Sequence, residues 1–166
     1  MKLIPLTQGL FAQVDDKDYD KLIERSWYAL KAGNTYYASS RKKDTDGNYK
    51  TIYLHREIMD TPRGMQCDHQ DHNGLNCQRF NLRNCSKKQN SYNMKVSGKT
   101  GYHGVTYIYS KHKHKPTTQY IMAQITYEGV HTYLGYYPTE ELAARAYDVK
   151  AKQFFGEFAY LNFPNE

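Results

Sequence analysis

Short blocks of apolar and polar residues alternate in the first part of the chain, and they predict a mixture of strands and helices. Residues 11–14 have the pattern of a strand, and Asp15 or Asp16 is placed to cap a short amphipathic helix behind it. Asp46-Gly47 is a hairpin signal. The strands predicted around it cover residues 27–30, 36–38 and 50–54.

A polar stretch rich in turn-forming residues covers residues 63–81 and predicts a long loop. Compact domains seldom keep such a loop without a functional reason. Ser86 with Gln89 fits a capping box, which predicts a helix over residues 86–94. Asn90 then lies in the second turn of that helix.

The second half of the chain has the pattern of a three-stranded sheet followed by one helix. Residues 96–100 are small and polar and predict a linker. The strand patterns after it cover residues 102–109, 120–127 and 130–136. Glu128-Gly129 favours a tight hairpin between the last two strands. Thr139 is placed as the N-cap of the helix, and Gly156 is placed to end it.

One side of this last helix is apolar at helical spacing, which predicts that it packs on the sheet. The residues on that side are Ala143, Ala146, Tyr147, Ala151 and Phe154. The charged residues expected on the helix surface are Glu140, Glu141, Arg145 and Asp148. The small alanines should let the helix lie close to the strands. Strands and helices occur in both halves, so the predicted fold class is α+β.

The charge of the chain favours a polyanionic partner. Its 166 residues carry a net charge of +6, with a pI of about 9.1. Residues 1–95 hold most of the excess, with 16 Lys and Arg against 11 Asp and Glu. A merely soluble basic protein is the alternative, because charge alone specifies neither fold nor ligand.

The cysteines predict buried thiols in a reducing compartment. Cys67, Cys77 and Cys85 are odd in number and form no C-x-x-C pair. We expect no structural zinc, because such a site needs four well-placed nitrogen or sulfur ligands. The first residues lack the apolar region of a signal peptide, and no apolar run is long enough to span a membrane. We therefore expect a soluble cytoplasmic protein with no membrane partner.

The strongest chemical signal is the pair Asp68-His69, followed by Asn81 and Asn90. Imidazole titrates near physiological pH, so His69 is suited to take a proton from water. Asp68 offers an anionic oxygen, and Asn90 a neutral one, to a hard cation such as Mg²⁺. Such an ion acts as a Lewis acid on a phosphodiester and its leaving oxygen.

Two of the asparagines, Asn81 and Asn93, each have more than one expected role. Asn81 is expected either to brace the loop before it or to hold His69 in its productive orientation. Asn93 competes with Asn90 for the metal, and otherwise is expected to be structural or to contact phosphate. A lone Asp-His pair is usually a turn or a strand end, so the interpretation depends on all four positions occurring together.

These residues resemble the HNH homing-endonuclease family, particularly its phage-type members with a β-β-α-metal core. The segments that carry the resemblance are Leu54-His55-Arg56, Cys67-Asp68-His69, Asn73-Gly74, Phe80-Asn81-Leu82-Arg83 and Gln89-Asn90 through Asn93. The resemblance implies that His69 is the general base and Asn81 the positioning residue. It also implies that Asp68 and Asn90 hold one Mg²⁺ or Mn²⁺ ion per active site.

Residues 101–164 resemble the Apetala-two/ethylene-response-factor DNA-binding domain. The segments that carry this second resemblance are residues 101–105, 123–125, 133–137, 139–148 and 161–164. It implies that a three-stranded antiparallel sheet enters the major groove while the helix supports it from behind. The expected domains are a nuclease module with extra strands over residues 1–95 (motif core 54–95), a linker at 96–100, and this DNA-binding domain.

Double-stranded DNA is the expected partner, bound by a monomer in preference to a dimer. In the nuclease module the expected contacts are His55, Arg56, Arg83, Lys87 and Lys88. For His55 a structural or phosphate-contacting role is favoured over catalysis. In the second domain the expected contacts are Tyr107, Tyr109, Lys111, Lys113, Lys115, Gln124, Thr126, His131 and Tyr133. Arginines are scarce on these strands, so we expect phosphate, apolar and amide contacts and a lower intrinsic specificity.

The function favoured by these features is a metal-dependent, site-specific DNA endonuclease of homing type, expected from a phage in a bacterial host. One alternative is a non-catalytic transcription regulator with a decayed nuclease motif. Another is an RNA-binding or intron-folding protein. The intact Asp-His-Asn-Asn set argues against the regulator.

Overall fold

A computed structural model describes residues 1–94, 98–110 and 118–165 of the chain. It divides into two compact units, residues 1–90 and 91–166. Each is built from short antiparallel strands and a few helices, so the fold is α+β. The predicted linker falls partly outside the described residues and stays a prediction. No helix in the described ranges is long and apolar enough to cross a membrane.

The first unit consists of short paired strands and short helices. In chain order they are β1 (Lys2–Pro5), β2 (Phe11–Val14), α1 (Asp16–Ile23), β3 (Tyr28–Ala32), β4 (Thr35–Lys43), β5 (Tyr49–Tyr53), α2 (Leu54–Ile58), β6 (Gln66–His69), β7 (Leu82–Cys85) and α3 (Lys87–Tyr92), which spans the division. β1 pairs with β2, β3 to β5 form a meander, and β6 pairs with β7. All of these pairings are antiparallel.

One apolar core joins these small sheets. Its buried side chains are Ile4, Ala12, Val14, Leu22, Trp27, Ala38, Leu54, Ile58, Cys77 and Leu82. They come from β1, β2, α1, β4, α2, β7 and the segments before β3 and β7, so elements far apart in sequence depend on one another. Burial of this apolar surface is the main force that holds the β6–β7 hairpin against the rest of the unit.

The predicted capping box of α3 is confirmed. The backbone N–H of Ser86 donates to Gln89 Oε1 at 2.8 Å, and the backbone N–H of Gln89 donates to Ser86 Oγ at 3.2 Å. The helix itself is shorter than predicted, ending at Tyr92. Asn90 is half-buried, and its backbone N–H donates to Ser86 O at 3.0 Å.

The prediction of an uninterrupted loop over residues 63–81 is wrong at β6. Gln66 to His69 are polar and show no apolar alternation, so no local pattern marks them as a strand. Their extended backbone is stabilised by pairing with β7, from Gln66 opposite Cys85 to His69 opposite Leu82. A short 3₁₀ turn, Arg79–Asn81, leads into β7.

The second unit is a three-stranded sheet covered on one face by a helix. The elements are β8 (Val105–Ser110), β9 (Thr118–Tyr127), β10 (Val130–Tyr137) and α4 (Glu140–Phe155). The strand order is β10-β9-β8, antiparallel throughout. Glu128 and Gly129 both have positive φ, 53° and 80°, as the predicted tight turn between β9 and β10 requires.

The helix α4 lies close on the sheet, as its alanines predicted. Ala143 and Ala144 are fully buried in a cluster with Val105 and Ala123. Thr139 caps the helix, its Oγ1 accepting from the backbone N–H of Leu142 at 3.3 Å.

Two details of this helix differ from the prediction. Phe155, at 8% exposed, is buried in place of Phe154. Asp148 was expected on the surface but is only 6% exposed. Its carboxylate accepts from the backbone N–H groups of Asn162 at 2.9 Å and Phe163 at 2.8 Å, which offsets the cost of burial. Asp148 therefore ties the C-terminal segment to α4.

Candidate active site

The β6–β7 hairpin places Asp68 directly opposite Arg83. Arg83 Nε and Nη2 donate to Asp68 Oδ2 at 2.9 and 2.7 Å. Asp68 is 7% and Arg83 9% exposed, so this is a buried ion pair. Arg83 was expected to contact DNA, but its guanidinium is occupied in holding the Asp68 carboxylate. The role of Arg83 that the geometry supports is to orient Asp68.

His69 follows Asp68 on the strand, so its side chain leaves the opposite face. Its ring is 5% exposed and packs against two other rings. The His55 ring lies edge-on with its centroid 4.7 Å away, and the Tyr37 ring is tilted at 5.6 Å. On another side, Cys77 Sγ lies 3.9 Å from His69 Nε2. The imidazole is therefore held in a defined orientation.

Burial lowers the pKa of His69 to about 4, although the carboxylates of Asp71 and Asp68 oppose that effect. Burial also lowers the pKa of His55 to about 3, with a smaller contribution from the neighbouring His69. Both rings are consequently neutral at physiological pH. A neutral imidazole has a lone pair that can accept a proton, which a base requires.

Asn81 closes the loop that leaves His69. Its Nδ2 donates to Asp71 Oδ1 at 2.9 Å and to Asn76 O at 2.8 Å. Its Oδ1 accepts from the backbone N–H of Asp71 at 3.0 Å, and its carbonyl accepts from that of Gln70 at 2.9 Å. Asn81 is 2% exposed, so these contacts are shielded from water. Of the two roles expected for Asn81, these contacts are those of a loop brace.

The same loop is pressed against β4 at Gly74. A Cβ built on Gly74 would lie 2.4 Å from Tyr36 O and 2.8 Å from the Tyr37 ring. The backbone N–H of Gly74 also donates to Thr35 Oγ1 at 3.0 Å. Only glycine permits this close approach, which places the loop beside the ring that contacts His69.

The segment before Asn81 is anchored to α1. Arg79 Nε and Nη2 donate to the two carboxylate oxygens of Asp18 at 2.7 and 2.8 Å. Asp15 Oδ2 accepts from the backbone N–H of Arg79 at 2.9 Å. Asp15 occupies the N-cap position of α1 without capping it through its side chain, because that carboxylate holds Arg79 instead.

The donor chemistry of Asp68 and Asn90 fits a hard divalent cation. A carboxylate oxygen and an amide oxygen are ligands that Mg²⁺ accepts, and Mg²⁺ commonly binds through few protein ligands plus water and substrate phosphates. Within the described ranges no group of three or more His, Cys, Asp and Glu side chains is arranged to hold a metal. Asn93, the competing asparagine, is 6% exposed and belongs to the second unit.

The three cysteines are free thiols, of which Cys77 and Cys85 are buried. Each thiol donates a hydrogen bond to a backbone carbonyl. Cys67 donates to His55 O at 3.6 Å, Cys77 to Gly74 O at 3.8 Å, and Cys85 to Gln66 O at 3.7 Å. Burial raises the pKa of Cys67 to about 11 and raises that of Cys77 further.

The other residues of the first unit that were expected to contact DNA differ in exposure and in their contacts. His55 is 7% exposed among aromatic rings, a position that does not present a donor to phosphate. Arg56 Nη1 donates to Met65 O at 2.9 Å, fixing the turn before β6. Lys87 and Lys88 are exposed on α3.

The candidates of the second unit fall on two faces of the sheet. Gln124, Thr126, His131 and Tyr133 are exposed and paired across β9 and β10, so they share the face opposite α4. Tyr107 and Tyr109 alternate in phase with buried Val105, which places them on the helix side. Lys111, Lys113 and Lys115 lie outside the described residues.

Sequence reasoning missed several residues of this site. Tyr37 comes from β4 and carries no local signal of its contact with His69. Arg79 and Asp18 also meet only through the fold. Asp71, close after the Asp-His pair, invites a second-metal interpretation from the sequence, with a solvated loop side chain favoured over it. In the structure its carboxylate accepts from Asn76 Nδ2 at 2.7 Å and from Asn81 Nδ2 at 2.9 Å.

A carboxylate and a neutral imidazole on one hairpin, with asparagines on the loop and the following helix, define a candidate nuclease centre. Comparison with known proteins gives the family. The chain is 31% identical over 155 residues to an uncharacterized HNH endonuclease of Acanthamoeba polyphaga mimivirus, covering 93% of this chain and 76% of that protein. The chain belongs to the HNH endonuclease family.

Other comparisons add nothing to this assignment. No family model matches the chain, and no solved structure matches it. The name of the mimivirus relative does not mention an Apetala-two domain, so the resemblance of residues 101–164 gains no support from it. The expected phage origin likewise gains none.

Proposed function

We propose that the protein is a metal-dependent, site-specific DNA endonuclease of homing type. The observation that carries the proposal is the buried imidazole of His69 directly after Asp68 at the end of β6, where Asn81 closes the loop that follows. The name of the mimivirus relative supports an endonuclease, and DNA is the substrate that the resemblance to HNH homing enzymes implies. In this proposal β6, β7 and α3 are the β-β-α-metal core of the HNH module.

The chemistry begins with a proton transfer to His69. The ring takes a proton from the attacking water, and it is neutral and ready to do so at physiological pH. The Asp71 and Asp68 carboxylates favour the protonated ring that results. Asn81 keeps Asp71 and the loop in place during this step.

Asp68 and Asn90 would hold one Mg²⁺ or Mn²⁺ ion. When bound, such an ion supplies Lewis-acid stabilisation of the charge that grows on the leaving 3′ oxygen. Arg83 fixes one oxygen of Asp68, so the carboxylate does not reorient when substrate binds. The resemblance to HNH enzymes implies products with a 3′-hydroxyl and a 5′-phosphate.

The β4–β5 hairpin supports a path for the DNA backbone. Arg41 and Lys43 follow Tyr37 at alternate positions along β4, so their side chains leave the same face of the sheet. Their partners across the ladder are Thr51 and Tyr49, and both strands are exposed there. This basic face continues from the ring that contacts His69. Phosphates bound along it would lead a strand to the proposed base.

The second unit is proposed to bind DNA through the sheet face opposite α4, as in the Apetala-two domain that it resembles. That face presents the amide of Gln124, hydroxyl groups, and exposed aromatic rings such as that of Tyr133. These groups suit contacts with base edges and thymine methyls. A covalent link between two DNA-binding units raises the local concentration of each at the other's site.

Cleavage of supercoiled plasmid with Mg²⁺ tests the proposal. Wild-type protein should nick or linearise the DNA, chelation of the metal should stop it, and His69→Ala should lower the rate by at least about 100-fold. His72→Asn is the matched control, because His72 lies in the same loop at positive φ, which asparagine tolerates. Tight DNA binding without cleavage by the wild type would favour the transcription-regulator alternative.

A further inference from the structure

Phe80 is the most exposed large apolar side chain of the first unit, at 71%. It lies in the 3₁₀ turn Arg79–Asn81, which leads into β7. An exposed phenylalanine forgoes the favourable burial of its apolar surface. Single exposed apolar side chains are nevertheless common, so exposure alone does not indicate a function. The way the turn is held and the residues beside it are what distinguish Phe80.

The turn that carries Phe80 is fixed on both sides of that residue. On one side, the guanidinium of Arg79 donates to both carboxylate oxygens of Asp18, and the backbone N–H of Arg79 donates to Asp15. On the other side, Asn81 is 2% exposed and makes the hydrogen bonds of the loop brace. The side chain of Phe80 therefore projects into solvent from a main chain whose position is set.

The turn also lies against the residue that follows the proposed base. Gln70 Nε2 donates to the carbonyl of Phe80 at 2.8 Å. The backbone N–H of Gln70 donates to the carbonyl of Asn81 at 2.9 Å. Gln70 comes directly after His69, the last residue of β6. These two hydrogen bonds hold the main chain of Phe80 beside the end of the strand that carries the proposed base.

The proposed base is recessed, whereas the phosphates of a regular DNA duplex lie on the outside of a cylinder. His69 is only 5% exposed. A duplex has to bend or open locally to bring one of its phosphates to such a ring. Proteins that deform DNA in this way frequently insert an apolar side chain, phenylalanine among them, between two base pairs, which unstacks the pairs and kinks the DNA. An exposed ring on a fixed turn beside the recessed base has the properties of such a wedge.

We propose that Phe80 is a wedge that inserts between two adjacent base pairs next to the scissile phosphate and distorts the duplex as it binds. This inference rests on the proposed function for the position of the cut. Insertion itself is part of DNA binding and needs neither metal nor cleavage. It is therefore measurable whether or not the bound DNA is cut.

An incidental surface phenylalanine makes a different prediction. Its removal would change neither the stacking of the bound DNA nor the rate of cleavage. A base pair that is already mismatched costs less to unstack than a matched one. A protein that lacks the wedge should therefore recover activity on a duplex weakened at the step where the wedge inserts. Loss of a general DNA contact would instead slow cleavage of matched and mismatched duplexes equally.

The first experiment uses the full-length protein and a library-selected duplex without metal. 2-Aminopurine, whose fluorescence rises when it is unstacked, replaces one base at a time along the duplex. Wild-type protein should raise the fluorescence at one step, and Phe80→Ala should bind without raising it. Phe11→Ala is the matched control, since Phe11 lies on β2 and is 51% exposed, and it should behave as wild type. No rise with wild type, an equal rise with Phe80→Ala, or no DNA binding would overturn the proposal.

The second experiment compares cleavage of that duplex with cleavage of one that carries a mismatch at the responding step. Phe80→Ala should cut the matched duplex about tenfold more slowly than wild type, and the mismatched duplex within about twofold of it. Phe80→Leu, which keeps an apolar wedge, should cut the matched duplex within about threefold of wild type. Equal slowing of Phe80→Ala on both duplexes would overturn the proposal. A wild type that raises the fluorescence but cuts neither duplex would support the wedge and count against the proposed function.

Discussion

Asp68 and Arg83 stand directly opposite each other in the β6–β7 ladder and form an ion pair that is almost completely buried. Metal ligands and DNA contacts are usually sought among surface residues, but both of these side chains are buried. The desolvation cost of each charge is offset by the other, so each residue depends on its partner. Arg83 therefore orients the carboxylate of Asp68, which is a proposed metal ligand.

Arg83→Ala should destabilise the protein by about 3–5 kcal/mol, because it leaves the Asp68 carboxylate buried without its partner. Urea denaturation of both proteins at neutral pH measures the difference. Arg41→Gln is the matched control, an exposed arginine on the proposed DNA path. It should leave stability within about 0.5 kcal/mol and lower the salt slope of DNA binding by about one. A loss of stability in Arg41→Gln, together with a lower salt slope of DNA binding in Arg83→Ala, would instead indicate that Arg83 contacts DNA.

Asn81→Ala should lower kcat by about 10-fold to 100-fold while DNA affinity stays within about twofold, because the loop after His69 loses its brace. The substitution also leaves buried hydrogen-bonding groups of Asp71 and Asn76 without their Asn81 partner, which should lower the free energy of unfolding by about 1–3 kcal/mol. Asn73→Ala serves as the control, since Asn73 Oδ1 accepts only within the exposed turn, from the backbone N–H of Leu75. Equal effects of the two substitutions on kcat would contradict the bracing role.

The Arg79–Asp18 pair should give a pH-dependent contribution to stability. The hydrogen bonds from Arg79 lower the folded-state pKa of Asp18. A carboxyl group with a lowered folded pKa stabilises the protein above its unfolded pKa, and the contribution is lost as pH falls through the folded value. Arg79→Met should therefore cost about 0.5–1 kcal/mol at neutral pH, since the arginine is partly exposed.

The cost of Arg79→Met should disappear once the pH is below the lowered folded-state pKa of Asp18, where this carboxyl is protonated in both states. Denaturation curves of wild type and variant across this range measure it. The pair Lys2–Asp20 is a suitable control, because its side chains are 45% and 88% exposed at a distance of 3.4 Å. Lys2→Met should produce no pH-dependent difference of comparable size. A cost for Arg79→Met that is constant with pH would show that lost packing, not the ion pair, is responsible.

Tyr133 and Tyr109 provide a matched test of which sheet face binds DNA. They are almost equally exposed, at 57% and 56%, but lie on opposite faces. Tyr133→Ala should weaken binding to a selected duplex by about 1–3 kcal/mol without changing the salt slope, because no charge is lost. Tyr109→Ala should leave affinity unchanged. Equal losses, or a loss confined to Tyr109→Ala, would contradict the proposed face.

Local patterns in the sequence predicted the features that depend on neighbouring residues. The capping box of Ser86 and Gln89, the N-cap at Thr139 and the turn at Glu128-Gly129 were all found as predicted. Each is a device whose geometry is set within a few residues, so its sequence signature is sufficient. The adjacent pair Asp68 and His69 was singled out from the same kind of local pattern, and the chemical roles of the two residues stay predictions.

The features that were missed depend on contacts between distant segments. β6 has no apolar alternation, and its extended conformation comes from pairing with β7. Arg83 was expected to contact DNA, whereas its cross-strand partner Asp68 holds its guanidinium in a buried ion pair. Tyr37 and Cys77 reach His69 from elsewhere in the fold, and neither carries a local signal of that contact.

The most direct measurement is single-turnover cleavage of a library-selected duplex with Mg²⁺, with the ends mapped on both strands. Wild-type protein should cut at a defined phosphodiester, leaving a 3′-hydroxyl and a 5′-phosphate, and His69→Ala should bind the same duplex but cut it at least about 100-fold more slowly. Cleavage by His69→Ala at the wild-type rate, or binding by the wild type with no cleavage in Mg²⁺ or Mn²⁺, would contradict the proposed nuclease function.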